Sequence, residues 1–428
     1  MERVIRNSET LATNKIRLDA LSIAEAGYAA LNTGAALVRD LTIDGDRLRF
    51  KDMTYELAGR RVFFIGVGKC SFAAAEAVER ILGERLTGGI ALDVSSPDTL
   101  HVQTIEAYAG THPLPSEANE RATKRILTLL SACREDDLVL MLISGGGSTL
   151  LCQTEAPMDC ETESAFFTEL TLQGATIQDI NTVRKHTSPA RGGGLAKAAY
   201  PAEVLSLLVS DVPGDDLAYI ASGPTVRDDS TVADAEHVLA RYGIDTAVKL
   251  IETPKEEKYF ERVTNVLFLA NRNALTAMQA EAGARGYAAT IMDDRFTGDA
   301  DTLGRSITET LHTMPPKTVL LYAGESTVTL PTRHGAGGRN QEMALAALPH
   351  VREDELVLPL ASDGHDNTAH AGAIADTATR MHAQTCGASI EEYLAQHRSY
   401  DFFETTGDAV VTGYTGCNVS DIIIAIKE

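Results

Sequence analysis

The sequence predicts a doubly wound α/β fold, a parallel sheet covered by helices on both faces, and three observations lead there. First, apolar runs of strand length recur without polar alternation, which marks strands buried on both faces. RVFFIGVG (61–68), GGIALDVS (88–95), DDLVLMLISGGG (136–147) and AEVLSLLVSDVPGDD (202–216) are the clearest. Second, each run stops at Gly, Ser or Asp and gives way to a stretch of helical composition, the signature of repeated βα units. Third, 428 residues exceed what one hydrophobic core accommodates, so two domains are expected.

Taken in order, residues 10–40 read as amphipathic helix, and 61–82 as strand, glycine turn and Ala-rich helix. The polar stretch 245–262, with TPKEEK, reads as a surface connection between domains. A boundary is therefore expected at 250/251, giving domains 1–250 and 251–428. The second half repeats the pattern in NVLFLAN (265–271), AATIMDD (288–294), KTVLLYAGESTVTL (317–330), ELVLPLASDGHD (355–366) and the C-terminal SDIIIAIK, another α/β unit.

The formal charge of −22 repels nucleic acid and anionic lipid, and no Lys/Arg run offers a local exception, so no nucleic-acid partner and no membrane partner are expected. An acid or phosphate site must then supply its own positive charge. No apolar run approaches the ~20 residues of a membrane helix, and no signal-like segment opens the chain, so a cytoplasmic location is expected. The six cysteines lack CxxC or zinc spacing and read as free, mostly buried thiols.

Gly66-Val67-Gly68-Lys69-Cys70-Ser71 fails the Walker pattern, having Phe63 where a glycine is needed and no Ser or Thr directly after Lys69. As a dinucleotide fingerprint it has Ser71 where the third small residue belongs, although Asp93 stands at about the usual distance for a ribose contact. What remains is a glycine turn that lets the backbone approach a ligand, with Lys69 at the mouth of the next helix. Ser144, Gly145, Gly146, Gly147 and Ser148 form a second glycine loop after an apolar strand, suited to an anion nest or to a surface turn. Asn181-Thr182-Val183-Arg184-Lys185-His186, followed by Arg191, concentrates positive charge in an acidic chain; a solvated basic helix face is the plainer alternative. Asp211, Asp215 and Asp216 end a buried strand, where α/β sheets bind ligands, and Asp363 and Asp366 end another. Gly337-Gly338-Arg339 sets an arginine at a helix start, where it can take phosphate or carboxylate bidentately.

LISGGGSTLL, GATIQDINTVRKHTSPARGGGLA, LVSDVPGDDLAYIASGPTV, AGESTVTL, GGRNQEMALAAL and GDAVVTGYTGCNVSDI together resemble the glycerate 2-kinase family with a C-terminal MOFRL domain, whose members often carry the name hydroxypyruvate reductase. The resemblance runs from about residue 15 to the C-terminus. It implies a larger Rossmann-like N-terminal domain, a smaller α/β C-terminal domain and an active site in the cleft between them, with Lys69 and Arg339 as catalytic residues. SDGHDNTAHAGAIAD departs from the family's TDGTDGPTDAAGA, placing His370 where a carboxylate is usual.

On this basis the expected reaction is ATP-dependent phosphorylation of the 2-hydroxyl of D-glycerate, with Mg²⁺ assisting. Lys69 and Arg339 would contact the transferred phosphoryl group, the Ser144–Ser148 loop with Gly68 would cradle its oxygens, and Arg184 or Lys185 would hold the substrate carboxylate. Asn181, Glu325 and Asn340 complete the expected binding set. Asp211, with Asp363 or Asp366, would bind Mg²⁺ or accept the hydroxyl proton. Glycerate and a nucleotide are the expected small-molecule partners, in a monomer or a homodimer. The alternatives are an NAD(P)H-dependent hydroxypyruvate reductase, a kinase for a related 2-hydroxy acid, and a two-domain sugar-acid binder.

Overall fold

The computed structural model describes residues 3–154, 158–244, 249–332 and 334–428. The chain divides into two compact units, Thr33–Phe268 and a second made of Met1–Asn32 with Leu269–Glu428.

In Thr33–Phe268, a small antiparallel sheet of β1 (Leu41–Asp44), β2 (Arg47–Phe50) and β3 (Met53–Glu56) precedes the main sheet. The main sheet comprises β4 (Val62–Val67), β5 (Leu86–Asp93), β6 (Ile105–Ala109), β7 (Leu138–Ile143), β8 (Glu203–Val209) and β9 (Val263–Leu269). Its spatial order is β6-β5-β4-β7-β8-β9, with the five strands from β6 to β8 parallel. In chain order that is 3-2-1-4-5-6, the Rossmann arrangement, whose switch point lies between β4 and β7. Every residue of β7 is buried, and Ile65, Val67, Ile90, Met141 and Leu208 share one core, which is why these strands read as unbroken apolar runs.

The second unit holds a mixed sheet of β10 (Ala288–Asp299), β11 (Thr318–Thr327), β12 (Glu355–Ala361), β13 (Gly372–Ala373), β14 (Ala409–Val410) and β15 (Asp421–Lys427), ordered β10-β11-β15-β12-β13-β14. Among the described residues of this unit only β10 and β11 pair in parallel; the fully buried β15 inserts antiparallel between β11 and β12. An apolar run reports burial on both faces and not direction, so this second unit is α/β without being doubly wound.

Two expectations, on the first helix and on the thiols, are corrected, and the compact units divide the chain elsewhere than at 250/251. The single helix over 10–40 is two, Lys15–Leu31 and Thr33–Asp40, separated by Asn32 in extended backbone. The first of them belongs with the C-terminal unit: Arg17 is buried there and forks onto Asp376 at 2.7 Å through both Nε and Nη2, with Nη1 2.8 Å from Asp408. The boundary expected at 250/251 falls before β9, whose place beside β8 keeps the chain through Phe268 with the first sheet; of the polar stretch 245–262, residues 245–248 lie outside the described ones. Finally, the free thiols number four. Cys152 and Cys160, with Cα atoms 6.4 Å apart and within disulfide reach, are bridged.

Candidate active site

The residues that carry chemistry in the first unit gather at the carboxyl ends of β4 and β7. Gly68 has φ +112°, and a Cβ there would overlap the Oγ and carbonyl of Ser144, so only glycine lets the two loops meet. They are stitched together by Lys69 N–H donating to the Gly145 carbonyl at 3.0 Å, Ser144 N–H to Val67 at 2.9 Å, and Cys70 N–H to Ser144 Oγ at 3.2 Å. Gly146, at φ +82°, has the Lys69 side chain and the His112 ring against it: a Cβ there would lie 3.6 Å from Lys69 Cγ and 3.4 Å from the ring. The Lys69 stem thus runs over the second glycine loop. Beyond it the helix turn Gly147–Leu150 presents Ser148, whose hydroxyl lies 2.9 Å from Ser222 Oγ, and Ser222 donates to Asn181 Oδ1 at 2.6 Å. Ser148 and Asn181 are thereby connected, and Ser222 is a member of the set that sequence reasoning missed.

Arg184 and Lys185, adjacent in the helix Ile177–Lys185, have different surroundings. Lys185 donates to Asp228 at 3.0 Å, both side chains being buried, and its ammonium lies 5.4 Å from the Tyr219 ring centre. Its charge is committed to the fold. Arg184 instead lies over the Phe167 ring at 4.7 Å and, among the described residues, has no carboxylate or hydrogen-bond acceptor on its guanidinium. The nearby Glu163 is taken bidentately by Arg191, at 2.6 and 3.1 Å. Burial, with Arg191 alongside, pushes the Arg184 guanidinium down to about 10 against the pull of Glu163, so it stays charged at neutral pH. It lines a cavity of about 140 Å³ with Ser148, Thr149, Pro113, Leu114 and Phe167. A small polar pocket with one uncompensated cation suits a small carboxylate.

Asp93 marks what this site is not built for. Buried and at the end of β5, its carboxylate accepts from Phe72 N–H at 3.0 Å, Val94 N–H at 2.7 Å and Ser95 N–H at 3.1 Å, with Ser71 Oγ at 3.3 Å. The residue spaced for a ribose contact is consumed in capping the helix Ser71–Leu82 and the following turn. Asp211 stands two residues past β8, also at a carboxyl end.

In the second unit, Arg339 begins the helix Arg339–Ala347, and a Cβ on Gly338 would overlap Asp366. The Arg339 guanidinium contacts Glu325 through Nη1, while its Nη2 lies 3.3 Å from Oδ2 of the buried Asp421. It lines a cavity of about 760 Å³ with Ser326, Val328, Thr368, Glu342 and His397, the last two paired at 2.8 Å. Asp366, expected as a metal ligand, is a helix cap. It accepts from Asn340 N–H at 3.1 Å and Nδ2 at 3.2 Å on one oxygen, and from Gln341 N–H at 2.8 Å and Nε2 at 3.2 Å on the other. Four donors fill a carboxylate, and Asn340 is thereby occupied with Asp366. Asp363 accepts from His365 N–H at 3.1 Å in the turn after β12. Among the described residues no three of His, Cys, Asp and Glu converge as a metal cage. His370 is a structural residue, buried between Gln341 and Glu404 (3.2 and 2.6 Å) and stacked on Tyr400. Asp421 escaped sequence reasoning because it looks like the first residue of an apolar strand.

The chain matches the family model described as a domain of unknown function, DUF4147, over residues 19–253 and the MOFRL family over residues 318–421. It is 34% identical to a glycerate 2-kinase of Pyrococcus horikoshii, covering 96% of this chain and 97% of that one. This chain belongs to the glycerate kinase family. It is also 37% identical to an Agrobacterium vitis protein named provisionally as a hydroxypyruvate reductase, over 85% and 86% of the two chains. A crystal structure of glycerate kinase from Thermotoga maritima superposes with a TM-score of 0.85 at 30% identity, covering 96% of this chain and 99% of the other. The DUF4147 match begins inside the helix Lys15–Leu31, which packs in the other compact unit, so family borders and structural borders do not coincide. No described helix is long and apolar enough to cross a membrane.

Proposed function

We propose that this protein is an ATP-dependent glycerate 2-kinase of the cytoplasm. The observation that carries the reading is the pairing of an uncompensated Arg184 with Ser148 in a small pocket beside the glycine loops of a Rossmann switch point. Phosphoryl transfer asks chiefly for positioning and charge neutralisation. Arg184 binds the carboxylate of D-glycerate, and Ser148 and Asn181 orient its hydroxyls. Lys69 and Arg339 supply positive charge to the transferred phosphoryl group, whose oxygens the Gly68 and Ser144–Ser148 backbone receives. Asp211 accepts the 2-hydroxyl proton.

Asp366 does not fit Mg²⁺, since its oxygens are filled. A single carboxylate, that of Asp363, would suffice for an ion that arrives on the nucleotide, which needs only one or two protein carboxylates. Bound there, Mg²⁺ would offset charge on the β- and γ-phosphates.

The reductase reading is disfavoured by Asp93, which is buried and whose carboxylate is turned onto three backbone N–H groups of its own fold and away from any ribose hydroxyl. The test is incubation with Mg-ATP and a panel of 2-hydroxy acids, followed by product analysis. Formation of 2-phosphoglycerate from D-glycerate is expected. Only the 3-isomer, no product at all, or consumption of NADH with hydroxypyruvate would each refute the assignment.

A further inference from the structure

We propose that Asp421 is a positioning residue for Arg339, holding the guanidinium from its buried side so that its exposed side meets the phosphoryl group. The claim rests on the reading of Arg339 as a phosphoryl ligand.

The two ends of the guanidinium differ. Nη1 faces Glu325, whose side chain is 48% exposed, while Nη2 faces Asp421, 3% exposed, at 3.3 Å from Oδ2 and 3.4 Å from Oδ1. Glu325 is a partner that an incoming anion can displace into water; Asp421 is one that cannot leave. Its backbone is clamped on both sides, opposite Gly324 of β11 and Ala361 of β12, in the middle of the sheet. A long side chain at the first turn of a helix has several rotamers, and a carboxylate on a rigid strand selects among them.

Asp421 is also poorly provided for. Its Oδ2 has no hydrogen-bond donor, whereas the neighbouring Asp366 has four. Around it stand Arg339 and Asn340 on one helix, Asp366 in the turn after β12, Glu325 on β11 and the Tyr28 phenol from the helix Lys15–Leu31. Burial raises the Asp421 carboxyl, Arg339 and Asn340 oppose, Asp366 and Glu325 add to the rise, and it comes to about 7. Below neutral pH the proton neutralises Asp421 and Arg339 loses its inner anchor.

The experiment has two arms on the full-length protein. With ¹³C,¹⁵N-labelled arginine, the Arg339 guanidinium signal, assigned through Arg339→Lys, should titrate with a midpoint near 7 in the wild type and stay flat in Asp421→Asn. In the kinetic arm, Asp421→Asn should lower kcat roughly 10²-fold, the scale of a catalytic group misplaced by about 1 Å, leave the KM for glycerate unchanged and lose the acid limb of the pH profile. An Arg339 signal that titrates alike in both proteins overturns the proposal, as does a variant with wild-type kcat. If the wild type makes no 2-phosphoglycerate, the kinase reading fails while the spectroscopic arm still decides whether Asp421 holds Arg339. Should Asp421→Asn not fold, Asp421→Glu, which keeps the charge and displaces it by one methylene, should lower kcat with the KM for glycerate unchanged, and a wild-type kcat there overturns the proposal.

Discussion

Arg184→Met and Lys185→Met, a neighbouring pair of cations, should fail in opposite ways. Removing Arg184 takes away a guanidinium that has no acidic partner among the described residues, so no buried carboxylate is orphaned. The fold loses a cation–π contact with Phe167 of about 0.5–1 kcal/mol and gains relief from Arg191, so melting should barely move. The substrate carboxylate, by contrast, loses a charge-assisted bond of about 1.5–3 kcal/mol, which corresponds to roughly 10- to 100-fold in the KM for D-glycerate. No neighbour can replace it, because Arg191 is held by Glu163 and Lys185 by Asp228. Lys185→Met leaves Asp228 buried, with the hydroxyls of Ser230 and Thr253 and the Lys255 ammonium at 3.8 Å for compensation, and should cost no more than about 3 kcal/mol, the lower end for breaking a buried pair. The assay is initial rate against D-glycerate at saturating ATP, run beside thermal melting. A wild-type KM in Arg184→Met, or a raised KM with unchanged melting in Lys185→Met, refutes the assignment of the carboxylate site.

Gly68→Ala should destabilise the protein and abolish turnover, because the new methyl overlaps Ser144 at a positive φ; strain of this kind is about 1–3 kcal/mol before the steric clash is added, and melting together with activity reads it. Arg17→Met should cost about 3–5 kcal/mol by stranding Asp376 and Asp408. Burial pushes the Asp376 carboxyl up, but Arg17 and Thr379 outweigh it and hold it below its ordinary value, so this contribution is present above the unfolded-state value and lost as pH falls through the folded one. Acid melting curves of wild type and Arg17→Met should therefore converge. Asp421 has the opposite sign: a carboxyl raised to about 7 when folded destabilises the native state increasingly as pH rises from about 4 to 7. Asp421→Asn should then melt higher than wild type at pH 8 and equally at pH 4; equal melting at both values contradicts the burial argument.

The runs of β4, β7, β8 and β15 were legible because burial on two faces leaves no alternation to misread, and the loops after β4 and β7 were found because Gly66 and Gly68, and the three glycines 145–147, need a reason at a strand end. Direction and partnership were not legible. β15 carries the same apolar signature as β7, yet one runs antiparallel to its neighbours and the other parallel, a difference set by which strands are already in place. Arg184 and Lys185 are indistinguishable as letters; Asp228, 43 positions from Lys185, makes one a structural cation and leaves the other for a ligand. Asp366 and Asp421 both flank apolar strands, and only the helix Arg339–Ala347 decides that the first is a cap and the second an anchor. The compact units divide after β9 and not at 250/251, because β9 joins its sheet across a polar stretch that reads as a linker.

The helix Lys15–Leu31 shares its unit with residues made much later. During synthesis it is made before Thr33–Phe268, all of which must follow before its partners exist. Until then Leu21, Ile23 and Tyr28 have no core to enter, and Arg17 has neither Asp376 nor Asp408. A C-terminal fragment starting at Leu269 would therefore lack a piece of its own interior, however complete its sheet.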